Sequence, residues 1–90
     1  MSLEINQDHQ HNRFIAQVDG HRCVVDYLLN DGVMKIIHTG VPDAVGGRGI
    51  AAEMTKFALD TARRDGLKVV PICSYTVAYV RRHPEYSDIL

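Results

Sequence analysis

Three glycines lie just before a predicted helix, in the string Gly46-Gly47-Arg48-Gly49. Because glycine adopts backbone angles that other residues avoid, such a loop lets a ligand approach the main chain closely. The free N–H groups and the dipole of a helix N-terminus favour an anion, and Arg48 adds a positive charge. These residue types predict a site for a phosphate or pyrophosphate. The alternative is a flexible connection that simply requires glycine.

Two well-known phosphate loops fit this segment poorly. The Walker string Gly-x-x-x-x-Gly-Lys-Ser/Thr is absent from the sequence. Residues 47–52 match the dinucleotide pattern G-x-G-x-x-G/A, but the segment from Pro42 to Gly46 separates the first glycine from the preceding strand. No acidic residue ends the next predicted strand, where ribose recognition expects one. A chain of 90 residues is also too short for the strands of that fold.

Cys73 is a second residue whose position suggests chemistry, since it follows an apolar run and precedes a predicted helix start. A helix N-terminus lowers the pKa of a thiol and makes it more nucleophilic. Cys73 is therefore a candidate nucleophile or acid–base group. The alternative is a small buried core residue, the commonest place for a free cysteine, and this is also our expectation for Cys23.

The first half of the chain alternates apolar and polar residues, which is the period of a strand. Predicted strands cover residues 13–18, 23–30 and 33–41, and a short edge strand is expected at 3–8. The dipeptides Asp19-Gly20 and Asp31-Gly32 are turn signals between the three longer runs. This arrangement predicts an antiparallel meander.

The second half changes to helical spacing at Ile50. The predicted helix ends at Asp65-Gly66, a short buried strand follows at 67–72, and Ser74 begins a second helix that stops at His83-Pro84. A strand–helix–strand unit normally joins parallel strands, so the strands at 33–41 and 67–72 should be neighbours. We therefore expect an α+β fold, a mixed sandwich with an N-terminal antiparallel meander, a βαβ unit, a C-terminal helix, and helices on the faces of the sheet.

Length and composition exclude several classes of protein. The 90 residues form one predicted domain, 1–90, and the net charge of −1 disfavours a general nucleic-acid or membrane-surface binder. No apolar run approaches the roughly 18 residues of a membrane span, and no secretory signal is recognisable at the N-terminus. The two cysteines, Cys23 and Cys73, form no disulfide framework, and no set of zinc ligands is visible. We expect a cytoplasmic protein with reduced thiols and no metal.

Two motifs, taken together, resemble the GNAT superfamily of N-acetyltransferases. Val41-Pro42 followed by the segment 46–51 is similar to the acyl-CoA pyrophosphate loop of that family, usually written Q/R-x-x-G-x-G/A. Residues 71–75 (Pro-Ile-Cys-Ser-Tyr), then Tyr79 and residues 83–86, with His38-Thr39 upstream, resemble the minimal single-domain branch. The resemblance covers roughly residues 12–86. Gly46 stands where the loop usually has Gln or Arg, and Gly40 stands where many relatives have a polar or acidic residue.

The resemblance implies a place for acetyl-CoA or another acyl-CoA. The sheet is expected to splay between the strands at 33–41 and 67–72, with CoA in the wedge. The pyrophosphate is expected on the backbone N–H groups of the loop, the pantetheine arm beside the backbone of Val41, and Cys73 near the thioester. The N–H groups in question are those of Gly47, Gly49, Ile50 and Ala51.

Several further side chains acquire candidate roles. His38 is expected to face the wedge and to serve as a base, directly or through water; its alternative is a histidine packed on the sheet. Tyr75 and Tyr79 lie one helical turn apart, and either could protonate the CoA thiolate; the alternative for both is ordinary packing. Arg81-Arg82-His83 is expected to be a solvated helix end, with contact to the 3′-phosphate of CoA as its alternative.

The leading hypothesis is therefore an N-acyltransferase that moves an acyl group from CoA to an amine, by direct attack or through Cys73. The acceptor amine is not identified by any sequence feature, and a protein is one class of acceptor. The resemblance implies a branch without the N-terminal helices that shape the acceptor site in larger relatives, so the acceptor pocket is expected to be open or supplied by a partner. The alternative is an acyl-CoA-binding sensor or adaptor without efficient turnover. A third hypothesis is a structural partner protein whose glycine loop is only a turn.

Overall fold

The computed structural model describes residues 3–90, and this part of the chain contains a sheet and two α-helices. In chain order the elements are β1 (Ile5–Asp8), β2 (Arg13–Val18), β3 (His21–Asn30), β4 (Val33–Gly40), α1 (Ile50–Arg64), β5 (Lys68–Pro71) and α2 (Ser74–Arg82). Short 3₁₀ segments at Asp43–Val45 and Pro84–Ile89 were not predicted from the sequence. Neither helix of the described chain has the length and apolar character needed to cross a membrane.

The sheet has the strand order β1-β2-β3-β4-β5. Its first four strands are antiparallel neighbours, and β5 runs parallel to β4. The predicted meander and the predicted parallel pair are both confirmed. In the two tight turns of the meander, Asp19-Gly20 and Asp31-Gly32, all residues have positive φ, between 48° and 79°. That geometry matches the right-handed twist of the flanking strands, which is why Asp-Gly marked these turns so clearly.

Both helices lie on one face of the sheet. Tyr79 and Val80 of α2 belong to the same buried cluster as Met54 and Ala58 of α1. The sheet contributes to this cluster the alternate residues of its strands, among them Phe14, Ala16, Cys23, Val25, Met34, Ile36 and Val69. Cys23 is thus a core residue, as expected.

The opposite face of the sheet carries no helix of the described chain, and we name it the open face. Leu28 on β3 and Val70 on β5 are 50% and 41% exposed there. Our expectation of helices on the faces of the sheet is corrected in this respect. The physical reason is that α2 buries Tyr79 and Val80 in the same apolar cluster as α1, so both helices cover one face.

Helix α1 ends in a motif that aims the chain into β5. Gly66 has φ 71°, its N–H donates to the Arg63 carbonyl at 3.2 Å, and the Leu67 N–H donates to the Ala62 carbonyl at 2.8 Å. These two hydrogen bonds define a Schellman motif, which requires a residue in the left-handed conformation directly after the helix. The sequence signal Asp65-Gly66 therefore predicted the end of α1 for the right physical reason.

One hydrogen bond tests how the C-terminal segment is held on α1. The Tyr86 hydroxyl donates to Asp60 Oδ1 at 2.7 Å, and Tyr86 is buried. Burial, followed by the Asp60 carboxylate, raises the pKa of the Tyr86 phenol, so the hydroxyl stays protonated. Tyr86→Phe should lower the free energy of unfolding by about 1.5–3 kcal/mol, the usual range for a hydrogen bond to a charged group. Urea denaturation measures the difference.

The matched control is Tyr75→Phe, because Tyr75 is 37% exposed and its replacement should change the free energy of unfolding by close to zero.

The effect of Tyr86→Phe should also depend on pH. Burial raises the pKa of Asp60, but hydrogen bonds from Lys56 and Tyr86 outweigh it and hold the pKa below the ordinary 3.8. The ionised carboxylate contributes fully to the free energy of unfolding above the ordinary pKa of 3.8. This contribution is lost as the pH falls through the lower pKa of Asp60 in the folded state. An equal loss at pH 7 and pH 2 would contradict this account.

Candidate active site

A wedge opens where β4 parts from β5. Pairing of β4 with β5 ends at Ile36, and Ile37 forms a β-bulge against β3 at the same place. The N–H groups of Ile72 and Cys73 both donate to the Ile36 carbonyl, at 3.0 and 2.9 Å. Beyond this point β4 continues beside β3 to Gly40, while its other edge has no strand partner in residues 3–90. The wedge is therefore bounded by an unpaired edge of β4 on one side and by the end of β5 and the start of α2 on the other.

The chain leaves β4 through a short 3₁₀ turn that is fixed to the core by Val45, which is completely buried. The Val45 N–H donates to the Pro42 carbonyl at 3.0 Å, and the Gly46 N–H donates to the Asp43 carbonyl at 3.1 Å. Val41, the first residue after β4, is half-buried against the core. The loop before α1 is thus anchored at its start rather than freely flexible.

Gly47 and Gly49 both have φ 77°, a left-handed conformation that other residues adopt at a cost. A Cβ at either position would meet nothing within 4 Å, so backbone conformation and not crowding requires glycine there. Gly46 differs, because its φ of −65° and ψ of 159° suit any residue. Two of the three predicted glycines are therefore conformationally necessary, and a connection that simply requires glycine would show the same geometry as a phosphate loop.

The first turn of α1 has uncommitted hydrogen-bond donors. Gly49 is the N-cap residue and supplies no side-chain acceptor. The N–H groups of Ile50 and Ala51 belong to the first turn, which has no intrahelical acceptors, and the first ladder bond of α1 is from the Glu53 N–H to the Gly49 carbonyl at 3.1 Å. Such a helix end, with the positive end of the helix dipole behind it, is suited to an anion.

Arg48 is not directed at this helix end. Its guanidinium pairs with Asp19 in the β2–β3 turn, and both side chains are about half exposed or more, at 48% and 66%. Beside the pair lies a pocket of about 190 Å³ lined by Leu3, Val18, Arg48, Ile50 and Glu53. This pocket joins the end of β2, at Val18, to the first turn of α1, at Ile50 and Glu53. An exposed pair of this kind contributes about 1 kcal/mol or less, so Arg48 can change partner at small cost.

Cys73 lies in the wedge, as the N-cap residue of α2. Its thiol is partly exposed and donates to Thr39 Oγ1 on β4 at 3.7 Å. Burial raises the pKa of the Cys73 thiol, but its hydrogen bond with Thr39 and the N–H groups of Thr76 and Tyr75 outweigh burial and lower it. Burial raises the pKa of the core residue Cys23 instead. Cys73 is thus the more readily ionised of the two thiols.

His38 lies on the open face and not on the side of the wedge that Cys73 occupies. It pairs with Asp26, whereas Thr39 pairs with the fully buried Val25 and faces the helices. The His38 ring lies close to Gly40, since a Cβ on that glycine would stand 3.1 Å from His38 Nε2. The expected position of His38 facing the wedge is corrected to the open face, because the bulge at Ile37 shifts the phase of β4 by one residue relative to Met34 and Ile36.

Tyr79 is in an aromatic cluster between the two helices. Its ring stacks on His83 at 4.0 Å between centroids and lies 6.5 Å from Tyr75 and 6.4 Å from Tyr86. Burial raises the pKa of the Tyr79 phenol, so it remains a proton donor near neutral pH. The predicted common face of Tyr75 and Tyr79 is confirmed, but no hydrogen bond joins Tyr79 to Cys73 in the described structure.

Thr39 and Thr76 are site residues that sequence analysis gave no role. Thr76 is completely buried in the first turn of α2, and its Oγ1 has no hydrogen-bond partner within residues 3–90. Neither residue carries a sequence signal of its own, because the position of Thr39 depends on the bulge and that of Thr76 on the helix start. No group of three potential metal ligands occurs among the described residues.

The thiol geometry generates a prediction about chemical reactivity. Iodoacetamide should label Cys73 and leave Cys23 unlabelled in the folded protein, and the pH midpoint of labelling should lie below that of a free thiol, about 8.5. Thr39→Val should move this midpoint to higher pH, because it removes the hydroxyl that stabilises the thiolate. Mass spectrometry of the labelled protein at a series of pH values measures both effects.

Thr55→Val is the matched control for Thr39→Val. Thr55 is fully buried in α1, and its Oγ1 also has no hydrogen-bond partner in the described chain. The same replacement there should leave the midpoint unchanged. Equal midpoints in wild type and Thr39→Val would show that Thr39 does not act on the thiol.

Comparison with known proteins agrees with this architecture. The family model for GCN5-related N-acetyl-transferases matches residues 13–89. Protein NATD1 of Mus musculus is 34% identical over 85 residues, which cover 91% of this chain and 77% of the relative. Protein NATD1 of Danio rerio is 29% identical over 91 residues, which cover 96% of this chain and 83% of the relative.

A solved structure shows the same fold. The solution NMR structure of a GCN5-like protein from Staphylococcus aureus matches with a TM-score of 0.75 and 30% sequence identity, covering 99% of this chain and 89% of that one. The predicted α+β fold is confirmed by this match. Because the family model spans most of the chain, the protein belongs to the GCN5-related N-acetyltransferase family.

Proposed function

We propose that the protein is an acyl-CoA-dependent N-acyltransferase whose site is the wedge between β4 and β5. The observation that carries the proposal is the juxtaposition of two features. An uncapped helix N-terminus preceded by the left-handed residues Gly47 and Gly49 stands at the end of the same strand whose edge is unpaired. A pyrophosphate and an extended amide-containing arm are the two parts of CoA that such features suit.

The pyrophosphate is assigned to the loop and the first turn of α1. The N–H groups of Gly47, Gly49, Ile50 and Ala51 are the donors, in line with the family motif. Arg48 would leave Asp19 and turn toward the phosphates, because a doubly charged group competes well with an exposed carboxylate. Gly46 supplies no side chain to this interaction, so the main chain and Arg48 provide most of the affinity.

The pantetheine arm is assigned to the unpaired edge of β4, from Ile37 to Val41. Its amides can pair with the free backbone groups of that edge as an added strand would. An arm laid along this edge from the α1 end brings its thioester toward the floor of the wedge. Thr39 and Cys73 lie there, 3.7 Å apart.

The transfer step is proposed to use both sides of the sheet. The acceptor amine approaches from the open face, where no helix of the described chain blocks it, and His38 accepts its proton directly or through water. The amine nitrogen bonds to the thioester carbonyl carbon, and the carbon–sulfur bond then breaks. The leaving thiolate is stabilised by the N-terminus of α2 and protonated from the helix side, by Cys73 or by Tyr79.

Acyl transfer through Cys73 is the alternative route to the same products. The Cys73 thiolate would attack the carbonyl carbon, release the CoA thiol and then pass the acyl group to the amine. Intact mass spectrometry after incubation with acetyl-CoA separates the routes. An acetyl group that is absent from Cys73→Ser supports the cysteine route, and full turnover by Cys73→Ser leaves only direct transfer.

A second function, an acyl-CoA sensor or adaptor, is favoured by two particular observations. Gly40 provides no carboxylate at the end of β4, and its Cβ position is crowded by His38 and Val24, at 3.1 and 3.2 Å. Within residues 3–90 the open face also carries no helix that would shape an acceptor pocket. Stabilisation by acetyl-CoA without product formation over a broad panel of amines, including peptides and polyamines, would favour this function over catalysis.

The loop assignment generates a prediction with a built-in control. Gly49→Val places a β-branched residue at φ 77° and should weaken CoA binding at least tenfold, because the donors of the first turn lose their geometry. Gly46→Ala, at φ −65° with its nearest neighbour 3.4 Å away, should bind like wild type. The thermal shift on titration with CoA measures both variants. For wild type at 100 times Kd the shift corresponds to about 2.7 kcal/mol.

Circular dichroism spectra of both variants check that the fold persists. Gly49→Val should also lower stability by about 1–2 kcal/mol through backbone strain, which is small enough to leave a folded protein. Wild-type affinity in Gly49→Val would overturn the placement of the pyrophosphate. No thermal shift in wild type would overturn the proposed function itself.

A further inference from the structure

We propose that Cys73 is a site of reversible S-thiolation by CoA disulfide, which forms a mixed disulfide that closes the wedge to acyl-CoA. This inference rests on the proposed function, because it takes the wedge to be the place that binds the pantetheine end of CoA. It adds a modification site and a means of control to that function. The acyl-transfer mechanism does not require either.

Three groups around the Cys73 sulfur favour its thiolate form. Cys73 Sγ stands at the N-terminus of the nine-residue helix α2 and contacts Thr39 Oγ1 across the wedge. The N–H groups of Tyr75 and Thr76 also act on the sulfur. Each of these groups favours negative charge on the sulfur, and the thiolate is the attacking species in disulfide exchange.

Thr76 is the independent observation that points to negative charge at this place. Its side chain is completely buried, and its Oγ1 has no hydrogen-bond partner within residues 3–90. A buried hydroxyl without a hydrogen-bond partner lowers the stability of the fold by about 1–3 kcal/mol, so a function for it is worth seeking. Thr76 follows Cys73 by three residues in the first turn of α2, and its hydroxyl is one of the groups that lower the pKa of the Cys73 thiol. It is therefore available to donate to a thiolate, or to a sulfur that carries charge during exchange.

The choice of CoA disulfide follows from the geometry of the wedge. A ligand whose pyrophosphate is held at the N-terminus of α1 has its sulfur end directed to the floor, where Cys73 lies. Holding the two reacting sulfurs near each other raises the rate of exchange above that of a disulfide met by random collision. Oxidised glutathione has a similar disulfide but no pyrophosphate, so it cannot use the loop. Cys23 cannot take part, because it is completely buried.

The reaction balances without an additional oxidant. The Cys73 thiolate attacks one sulfur of CoA disulfide and forms a new sulfur–sulfur bond, and the old one breaks. One CoA leaves as a thiolate and takes up a proton from water. The protein gains the mass of CoA less two hydrogens. Excess dithiothreitol reverses the exchange and restores the free thiol.

The bound CoA then occupies the wedge as a covalent inhibitor. Acyl-CoA cannot enter until the disulfide is reduced, so activity or binding depends on the ratio of CoA disulfide to CoA. In direct acyl transfer the thiol of Cys73 is at most a proton donor. The modification therefore blocks the site by occupying it, whichever route of acyl transfer operates.

The test compares two disulfides on the wild-type protein. CoA disulfide and oxidised glutathione are added at equal concentration near pH 7.5, and intact mass spectrometry follows the rate of adduct formation. Adduct formation with CoA disulfide should be at least about tenfold faster than with glutathione. It should be absent in Cys73→Ser, retained in Cys23→Ala and reversed by dithiothreitol. Gly49→Val should lose the preference for CoA disulfide while it still reacts with glutathione.

Thr76 is tested by a matched pair of variants. Thr76→Val should slow adduct formation several-fold at pH 7.5 and raise the pH at which the rate is half-maximal. Thr55→Val changes the other buried threonine without a hydrogen-bond partner in the described chain and should leave both quantities unchanged. A pH midpoint that is the same in Thr76→Val and wild type would remove Thr76 from the proposal.

The outcomes separate this proposal from the proposed function. A thermal shift with CoA but no adduct from CoA disulfide would overturn the S-thiolation site and leave acyl-CoA binding intact. Equal rates with both disulfides, together with no thermal shift, would overturn CoA recognition and with it both proposals. Faster reaction with CoA disulfide together with a thermal shift supports both.

Discussion

The carbonyl oxygen of Ile36 is the point on which the site depends. It accepts the last two hydrogen bonds between β4 and the chain that follows β5, from the N–H groups of Ile72 and Cys73. Because both donors are satisfied by one acceptor, β5 stops there and α2 begins at once. The bulge at Ile37 turns β4 away at the same place. The unpaired strand edge, the N-terminus of α2 and the position of Cys73 all follow from this one branching of the hydrogen-bond ladder.

The glycine loop complements that branching from the other end of β4. It reverses the chain within a few residues, buries Val45 and presents the first turn of α1 without a capping side chain. The two left-handed glycines make this reversal possible, and Gly46 does not contribute to it. The proposed site is thus made largely of main-chain groups.

The sequence predicted the elements well because each has a local cause. Alternation defined β2 and β4, Asp-Gly defined the two turns, and Gly66 defined the end of α1. It did not predict the bulge at Ile37, because a bulge depends on how two strands pair and not on one residue type. The bulge decides that His38 lies on the open face and Thr39 on the helix side.

The sequence did not predict the contact of Arg48 with Asp19 either, since this contact joins a loop to a turn far away in the sequence. The glycine loop and Cys73 were identified in advance because their signals are local: glycine spacing before a helix, and a thiol at a helix start. Thr76 has a local position in the same helix start, but only packing shows that its hydroxyl has no partner among residues 3–90. Residue types could therefore locate the site, while pairing and packing decide which side chains share a face.

The parallel pair of β4 and β5 also has a consequence for the order of folding. The meander β1–β4 is built from hairpins whose strands are neighbours in sequence, whereas β5 reaches β4 only after the whole of α1 has been crossed. Contacts between distant residues form late, because the chain must first lose the entropy of a long loop. The topology therefore places the docking of β5 among the last steps, so a ligand held between the two strands would bind only the completed chain and would slow its unfolding.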